Sequence, residues 1–495
     1  MSLIDVKNLT FAYDGGENIF DNVSFSLDTS WKAGLIGRNG RGKTTFLRLL
    51  TGGYEYKGSI SACVDFEYFP FDVPDPEWLC FEIAETAAPD AEQWRIIREL
   101  NLMNTAEELL YRPFNTLSGG EQTRFMLAVL FAKENTFLLI DEPTNHLDAD
   151  ARTVVADYLR KKSGFILVSH DRELLDSCTD HTISINRSNI QICKGSFSVW
   201  YENKRLADEA AMRENEKLHR DINRLRAAAA QTSQWADSAE RKQYIEKNAD
   251  SDAKFKGRRP YYGEKSRRMQ QQKKNIVRRY SNMIEEKEGL LNNIESSAPL
   301  KLHCEDFRIR TLAQLKDISV FYGGKQVFKS ISFTINRGDI IRLCGRNGCG
   351  KSSIIKLLLG YDISYTGELH IANGLKISYV PQDTSQLSGT VSGLETAGTD
   401  VPLFRTILRK LDFPRAAFYK PLEEMSEGQR KKVLIARSLS ERANLYIWDE
   451  PLNFIDIYTR IQLEEVIKKY RPTMLLVEHD SVFCRSIGAT AITMA

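Results

Sequence analysis

No apolar run in this 495-residue sequence approaches the roughly 20 residues that a membrane-spanning helix needs. That argues against an integral membrane protein. The first residues, Met1-Ser2-Leu3-Ile4-Asp5, offer neither a basic segment nor a long apolar core, so no secretion signal is expected. The eight cysteines are scattered and form no Cys-x-x-Cys pair. Reduced thiols in a cytosol fit that pattern, and a zinc or iron–sulfur module does not. A strong overall charge is lacking too, with a net charge of +2. The 42% hydrophobic and 27% charged content describes an ordinary globular chain, long enough for two or three domains.

Residues 1 to about 200 read as an α/β unit. Ile4 to Leu9, Val23 to Leu27 and Ala33 to Ile36 are short apolar or alternating runs, predicted as strands. Gly37-Arg38-Asn39-Gly40-Arg41-Gly42-Lys43-Thr44-Thr45 follows the third run and precedes the helix-like Phe46 to Leu50. This is a phosphate-binding loop in its proper strand–loop–helix setting. Its glycines let backbone N–H groups approach phosphates, Lys43 reaches the β- and γ-phosphates, and Thr44 is a magnesium ligand. Downstream, the apolar run Phe137 to Ile140 ends in Asp141-Glu142-Pro143. Alone, such a pair is most often a solvated strand end. With the phosphate loop upstream, Asp141 is expected to hold magnesium and Glu142 to polarise the attacking water. His170, after the strand signal Phe165 to Val168, is a candidate γ-phosphate contact.

The whole order then repeats. Gly345-Arg346-Asn347-Gly348-Cys349-Gly350-Lys351-Ser352-Ser353 is a second phosphate loop, followed by Asp449-Glu450 and His479. Gly37 to Gly345, Ser118 to Ser426 and Glu142 to Glu450 are each 308 positions apart, and His170 to His479 is 309. A tandem duplication follows, with domains expected at 1–200 and 309–495 and an insert at 201–308.

The insert carries apolar residues at helical spacing, Leu218, Ile222, Leu225 and Ala229, and again Ile276, Tyr280, Ile284, Leu291 and Ile294. Between them, Gly257, Pro260 and Gly263 predict a turn, so the insert reads as a long antiparallel helical hairpin. Its tip is basic. Lys254, Lys256, Arg258, Arg259, Lys265, Arg267, Arg268, Lys273, Lys274, Arg278 and Arg279 face a single anion, Glu264. A solvated face normally mixes signs. Clustered cations neutralise phosphates, and Phe255, Tyr261 and Tyr262 offer rings to unpaired bases, so an RNA partner is expected.

Leu117-Ser118-Gly119-Gly120-Glu121 beside a phosphate loop and an Asp-Glu-Pro strand end resembles the ATP-binding cassette superfamily. Two cassettes around a charged helical linker, with the wording Asp141-Glu142-Pro143-Thr144-Asn145-His146-Leu147-Asp148, resemble its ABC-F class. The fold so implied is α/β, two tandem P-loop cassettes joined by the hairpin, working as a cytoplasmic ATPase with ATP and Mg2+. In that family two nucleotides are each held between the phosphate loop of one cassette and the signature of the other. The resemblance implies adenine stacking on Tyr13 and Tyr322, signature contacts from Ser118, Gly119, Gly120, Ser426 and Gly428, and a magnesium-linked role for Gln382. Phe71 stands where the first cassette should have that glutamine, and Glu427 replaces a signature glycine. Both departures fall on the site built around Lys43, so unequal sites are expected.

Equal spacing in the two cassettes leaves no room for the extra helical arm common in housekeeping ABC-F translation factors. The sequence also stops soon after His479. The wording of Gly34 to Lys43, Gly428 to Val433 and Leu445 to Asn453 is similar to the Lsa-type antibiotic-resistance group. That resemblance implies a bacterial 70S ribosome partner, contacted near the exit site and the peptidyl-transferase centre together with a tRNA. Neither DNA nor a membrane partner is implied. The action implied is displacement of lincosamides, pleuromutilins and streptogramin A. A housekeeping translation factor and the ATPase of a drug exporter are the alternatives.

Overall fold

The computed structural model describes the chain apart from residues 1, 17, 145–146, 148, 187–188, 306, 324, 329, 347, 386, 395–398 and 495 and most of 250–299, where 268, 271, 274–285 and 287 are described. Side chains of 149, 232–233, 235–249 and 416 are also outside the description. Residues Met1–Trp200 and Ser297–Ala495 form one compact unit, and Tyr201–Ser296 form another.

In the first cassette, β1 (Leu3–Phe11) pairs antiparallel with β2 (Phe20–Asp28) and β4 (Lys57–Ser61). Alternation along β1 buries Ile4, Val6, Leu9 and Phe11 on one face. The second sheet runs β5 (Asp65–Phe69), β6 (Thr136–Asp141), β7 (Phe165–Val168), β3 (Lys32–Gly37), β8 (His181–Ile185), β9 (Ile190–Lys194). Its pairs are parallel except β8 with β9. All four β7 residues are buried, as expected for a central parallel strand covered on both faces. The helix Lys43–Leu50 drives Phe46 and Leu47 into a core with Leu35, Leu139 and Ile166.

The second cassette repeats this plan. β10 (Thr311–Tyr322) pairs with β11 (Lys325–Gln326), β12 (Ile331–Asn336) and β14 (Ser364–Ile371). A parallel sheet runs β15 (Ile377–Val380), β16 (Leu445–Asp449), β17 (Met474–Val477), β13 (Ile340–Cys344), β18 (Thr490–Thr493). Parallel strands bring their carboxyl ends to one edge, where α/β proteins bind ligands. Register then fixes the chemistry: Asp141 lies beside Val168, and Asp449 beside Val477.

The helix Phe197–Ala249, whose residues from Tyr201 onward belong to the other unit, runs 53 residues, about 80 Å at 1.5 Å per residue. Leu218, Ile222, Leu225 and Ala229 form its inward stripe, with Ile222 buried. In the returning helical stretch 274–285, Val277, Tyr280 and Ile284 turn inward, while Ile276 is 41% exposed. Of the spaced apolar residues there, Tyr280 and Ile284 join the inward stripe and Ile276 does not, because the stripe keeps step through 277, 280 and 284. Lys287 pairs with Asp221 at 2.7 Å, so the two stretches lie side by side. Leu291, Ile294 and the turn expected at Gly257 to Gly263 lie outside the described residues. No helix among the described residues is long and apolar enough to cross a membrane.

Candidate ATP sites

Each phosphate loop leads into its helix through a glycine in the left-handed region, Gly42 at φ 87° and Gly350 at φ 97°. A Cβ at Gly42 would meet Ile19 at 2.5 Å, and one at Gly350 would meet Phe328 at the same distance. Only glycine fits there. Lys43 donates from Nζ to the carbonyls of Gly37 (2.8 Å) and Arg38 (3.4 Å) and to Asn39 Oδ1 (3.3 Å). Lys351 likewise donates to Gly345 (2.7 Å) and Arg346 (3.0 Å). Thr44 Oγ1 donates to Asp141 Oδ2 at 2.8 Å, and Ser352 Oγ to Asp449 Oδ2 at 3.3 Å. Thr45 and Ser353 are buried one residue further on, and Tyr13 Oη bonds Thr45 Oγ1 at 2.9 Å. Gly40 and Gly348 have open space where a Cβ would stand. Asn347 lies outside the described residues.

The carboxylate pairs repeat in detail. Glu142 (φ 50°) and Glu450 (φ 46°) both sit in the left-handed region, which costs a non-glycine residue and clusters at functional sites. Each backbone N–H is held by the neighbouring strand, Glu142 by the Val168 carbonyl at 2.9 Å and Glu450 by that of Val477 at 2.8 Å. His170 Nε2 lies 3.4 Å from Glu142 Oε1, and His479 Nε2 lies 3.8 Å from Glu450 Oε1. Burial pushes the Glu142 carboxyl up to about 8, helped by the Asp141 charge and opposed by Arg460 and Lys43. Burial also lowers His170, with Lys43 and Arg460 adding to the effect. His479 is lowered to about 4 by burial and then by Arg152. Burial thus favours the neutral imidazole at both positions.

Each site draws on both cassettes. A cavity of about 450 Å³ is lined by Lys351, Ser352, Gln382, Glu450 and His479 of the second cassette and by Leu147 and Arg152 of the first. Tyr322 lines it too and is 47% exposed, a free ring face at its rim. Tyr13, 46% exposed, stands in the same place at the other site. There the first phosphate loop touches the second cassette directly. Asn39 Nδ2 donates to the Phe454 carbonyl at 2.8 Å, and Arg41 pairs with Asp412 at 3.2 Å.

Ser118 and Ser426 cap the helices Gly119–Ala132 and Glu427–Ser440 in reciprocal boxes with Glu121 and Gln429. The two signature glycines differ in what they tolerate. Nothing lies within 4 Å of a Cβ at Gly119, the position equivalent to Glu427, whereas one at Gly428 would stand 2.7 Å from the Phe454 carbonyl oxygen. Glu427 is thus accommodated sterically and is exposed. Its departure from the family pattern is electrostatic.

Magnesium fits the second site. Asp449 Oδ1 is buried with no hydrogen-bond partner among the described residues, and burial, then the Glu450 charge, raises Asp449 to about 6. A divalent cation held by Ser352 and Asp449 would satisfy that oxygen and supply charge for the phosphates. At the first site Asp141 Oδ2 also accepts from Tyr68 Oη at 2.9 Å. Phe71 is half-buried and supplies no ligand atom.

A family model described as ABC transporter matches residues 20–145 and 328–453, one copy on each cassette. The chain belongs to the ABC transporter family. It is a member of the ABC-F class and an ATPase. Among curated relatives, the ribosome protection protein VmlR of Bacillus subtilis is 26% identical over 94% of this chain and 82% of its own length. The ATP-binding protein Uup of Caulobacter vibrioides is 27% identical over 99% of this chain and 77% of its own. The probable ATP-binding protein YheS of Escherichia coli K12 is 27% identical, with 94% and 75% covered. Among solved structures, the archaeal ribosome recycling factor aABCE1, in complex with the stalk protein aP1, shares the fold with a TM-score of 0.63. Identity there is 18%, over 98% of this chain and 87% of that one.

Three residues of these ABC sites were not evident in the sequence. Arg152 and Arg460 are 308 positions apart and belong to equivalent helices. Arg460 donates to the carbonyls of Ile455 (3.0 Å) and Leu452 (2.9 Å) and to Asp480 (3.1 Å), and its charge acts on Glu142 of the other cassette. Arg152 reaches the opposite cavity in the same way. The repeat of an arginine just after each acidic motif was the available signal. Lys431 is the third. Its buried Nζ donates to the carbonyls of Pro381 (2.6 Å), Gln382 (3.0 Å) and Asp449 (3.4 Å), which ties the second signature helix to the residues of its own nucleotide site. Burial lowers it to about 8 against the pull of Asp449 and Glu450.

Of the tip residues expected to meet RNA, Lys254, Phe255, Lys256, Arg258, Arg259, Tyr261, Tyr262 and Arg267 lie outside the described residues. Arg268 is helical and exposed.

Proposed function

We propose that this protein is an ATP-driven ribosome-protection factor that clears antibiotics from the peptidyl-transferase centre of the bacterial ribosome. The observation that carries the reading is the linker: eleven cations against one anion over residues 254–279, inserted between two ATP cassettes. Such a segment suits a polyanion, and RNA phosphate foremost beside a ribosome-protection relative. Likeness to VmlR, a ribosome protection protein by name, supports the same reading. ATP with Mg2+ closes the cassettes around two composite sites, with Glu142 and Glu450 polarising water while His170 and His479 face the γ-phosphates. Closure fixes the linker on the ribosome near the exit site, and hydrolysis releases it. The drugs are lincosamides, pleuromutilins and streptogramin A, and none is chemically altered.

Similar identity to Uup and YheS favours one second reading, a housekeeping translation factor of the same class. A drug-susceptibility panel on a sensitive strain with and without the gene separates the two. Raised resistance to those three drug classes, with growth unchanged in their absence, supports protection. Unchanged susceptibility together with ribosome binding supports the translation factor.

A further inference from the structure

A second polar cavity, of about 470 Å³, lies in the first cassette away from both ATP sites. Thr136 and Gly164, at the amino ends of β6 and β7, line it, so it opens at the sheet edge opposite the phosphate loop. Its charged lining is Arg98, Lys133, Lys161, Lys162 and one carboxylate, Glu99. Glu99 is fully buried and already committed, bonded by Lys162, by Arg98 (2.9 Å) and by Tyr158 Oη (2.8 Å). Lys133 leans on Glu67 at 2.5 Å, and Lys161 is exposed with no ion-pair partner among the described residues. The lining therefore keeps an excess of positive charge.

One helical turn before Arg98, Trp94 is 53% exposed. The guanidinium carbons of Arg95 and Arg98 both lie 5.4 Å from its ring centroid, and its indole N–H is taken by Glu92. An exposed indole attended by two guanidinium groups, next to a cationic cavity, answers the two things a single RNA strand offers, a base face and a phosphate.

The second cassette serves as an internal control. At 308 positions on, Trp94, Arg98, Glu99, Lys133 and Lys162 become Pro402, Thr406, Ile407, Glu441 and Tyr470, and Lys161 alone keeps its type, as Lys469. Ile407 is as fully buried as Glu99. The same fold is thus built without this cluster, and packing does not require it.

We infer that this face of the first cassette is a second RNA-binding site, taking a backbone phosphate in the cavity and stacking the adjoining base on Trp94. The inference rests on the RNA-partner reading above and places a contact far from the linker tip in sequence.

The test uses the full-length protein and a short single-stranded RNA carrying 4-thiouridine. Ultraviolet cross-links are mapped by mass spectrometry, and acetylation of Lys161 and Lys162 is followed in parallel. Expected are a cross-link on the peptide containing Trp94, protection of both lysines, and, in the Trp94→Ala, Lys161→Gln variant, loss of the cross-link and of protection at Lys162, the lysine that remains. That variant should bind the RNA roughly five- to 150-fold more weakly, as loss of one stacked base at about 1–3 kcal/mol implies. Both positions are exposed, so folding is preserved. Cross-links confined to the linker would overturn the inference. So would equal lysine protection by inorganic phosphate at matched ionic strength, which marks a small-anion site, or by an acidic peptide alone. Ribosome pelleting of the unmodified protein is scored separately. Its failure would reject the ribosome reading while leaving the cross-link result to decide this one.

Discussion

Replacing Glu142 with Gln should stabilise the protein, and by an amount that depends on pH. The carboxyl is raised from 4.5 to about 8, chiefly by burial and then by Asp141. A group that holds its proton more tightly when folded loses stability for the fold as pH rises from the unfolded to the folded pKa. Below 4.5 both states are protonated and no cost exists. Between 4.5 and about 8 the unfolded chain ionises while Glu142 does not, and the cost grows. Above about 8 it is constant. The interval is 3.5 pH units, which at about 1.4 kcal/mol per unit caps the cost at about 5 kcal/mol. The opposing pulls of Arg460 and Lys43 are already contained in the raised value, so a few kcal/mol is the working figure. Glutamine copies the protonated side chain and escapes the cost. For domains of this size about 1 kcal/mol shifts Tm by about 2–4 °C, so Glu142→Gln should melt about 5–10 °C higher at alkaline pH. The assay is calorimetric melting of both proteins without nucleotide at about pH 5 and about pH 8.5. Melting of a multidomain chain is not two-state, so only the difference between variants is read. A difference that is the same at both pH values, or a wild type that melts higher at alkaline pH, would refute the reasoning.

The same raised pKa, with Phe71 and Glu427 on that site, sets the order of the hydrolysis mutants. Glu450→Gln should lower steady-state ATPase by about tenfold or more, and Glu142→Gln by clearly less; equal losses would remove the asymmetry. Gly428→Ala should impair closure, since its Cβ meets the Phe454 carbonyl at 2.7 Å, whereas Gly119→Ala should leave folding and cassette association unchanged. Comparable defects in a nucleotide-dependent cross-linking assay of closure would contradict that. Lys431→Met removes a buried cation bonded to Gln382 and Asp449, interactions worth about 1.5–3 kcal/mol each for charged groups. It should raise the KM for ATP several-fold, and unaltered kinetics would show that the brace is passive.

The nucleotide machinery was legible because its chemistry is local. A phosphate loop needs glycines and a lysine in sequence, and the offset of 308 between copies exposed the duplication before any fold was known. The residues that escaped act through distance. Arg460 matters at Glu142 because it belongs to the other cassette, and Lys431 matters because a helix carries it beneath Gln382. Neither relation leaves a mark at short range. Glu427 read as a broken signature, yet its counterpart Gly119 has open space for a side chain, which only coordinates reveal. Ile276 fits the helical spacing in sequence, whereas Val277 is the residue whose side chain turns inward beside Tyr280 and Ile284.

The most direct measurement follows a radiolabelled lincosamide already bound to bacterial ribosomes. The Glu142→Gln, Glu450→Gln protein is added with ATP, and the ribosomes are pelleted and counted. Closure without hydrolysis should hold the protein in the pellet and send the drug to the supernatant, and neither should happen without ATP. Protein pelleting with ATP while the drug stays bound would contradict ribosome protection.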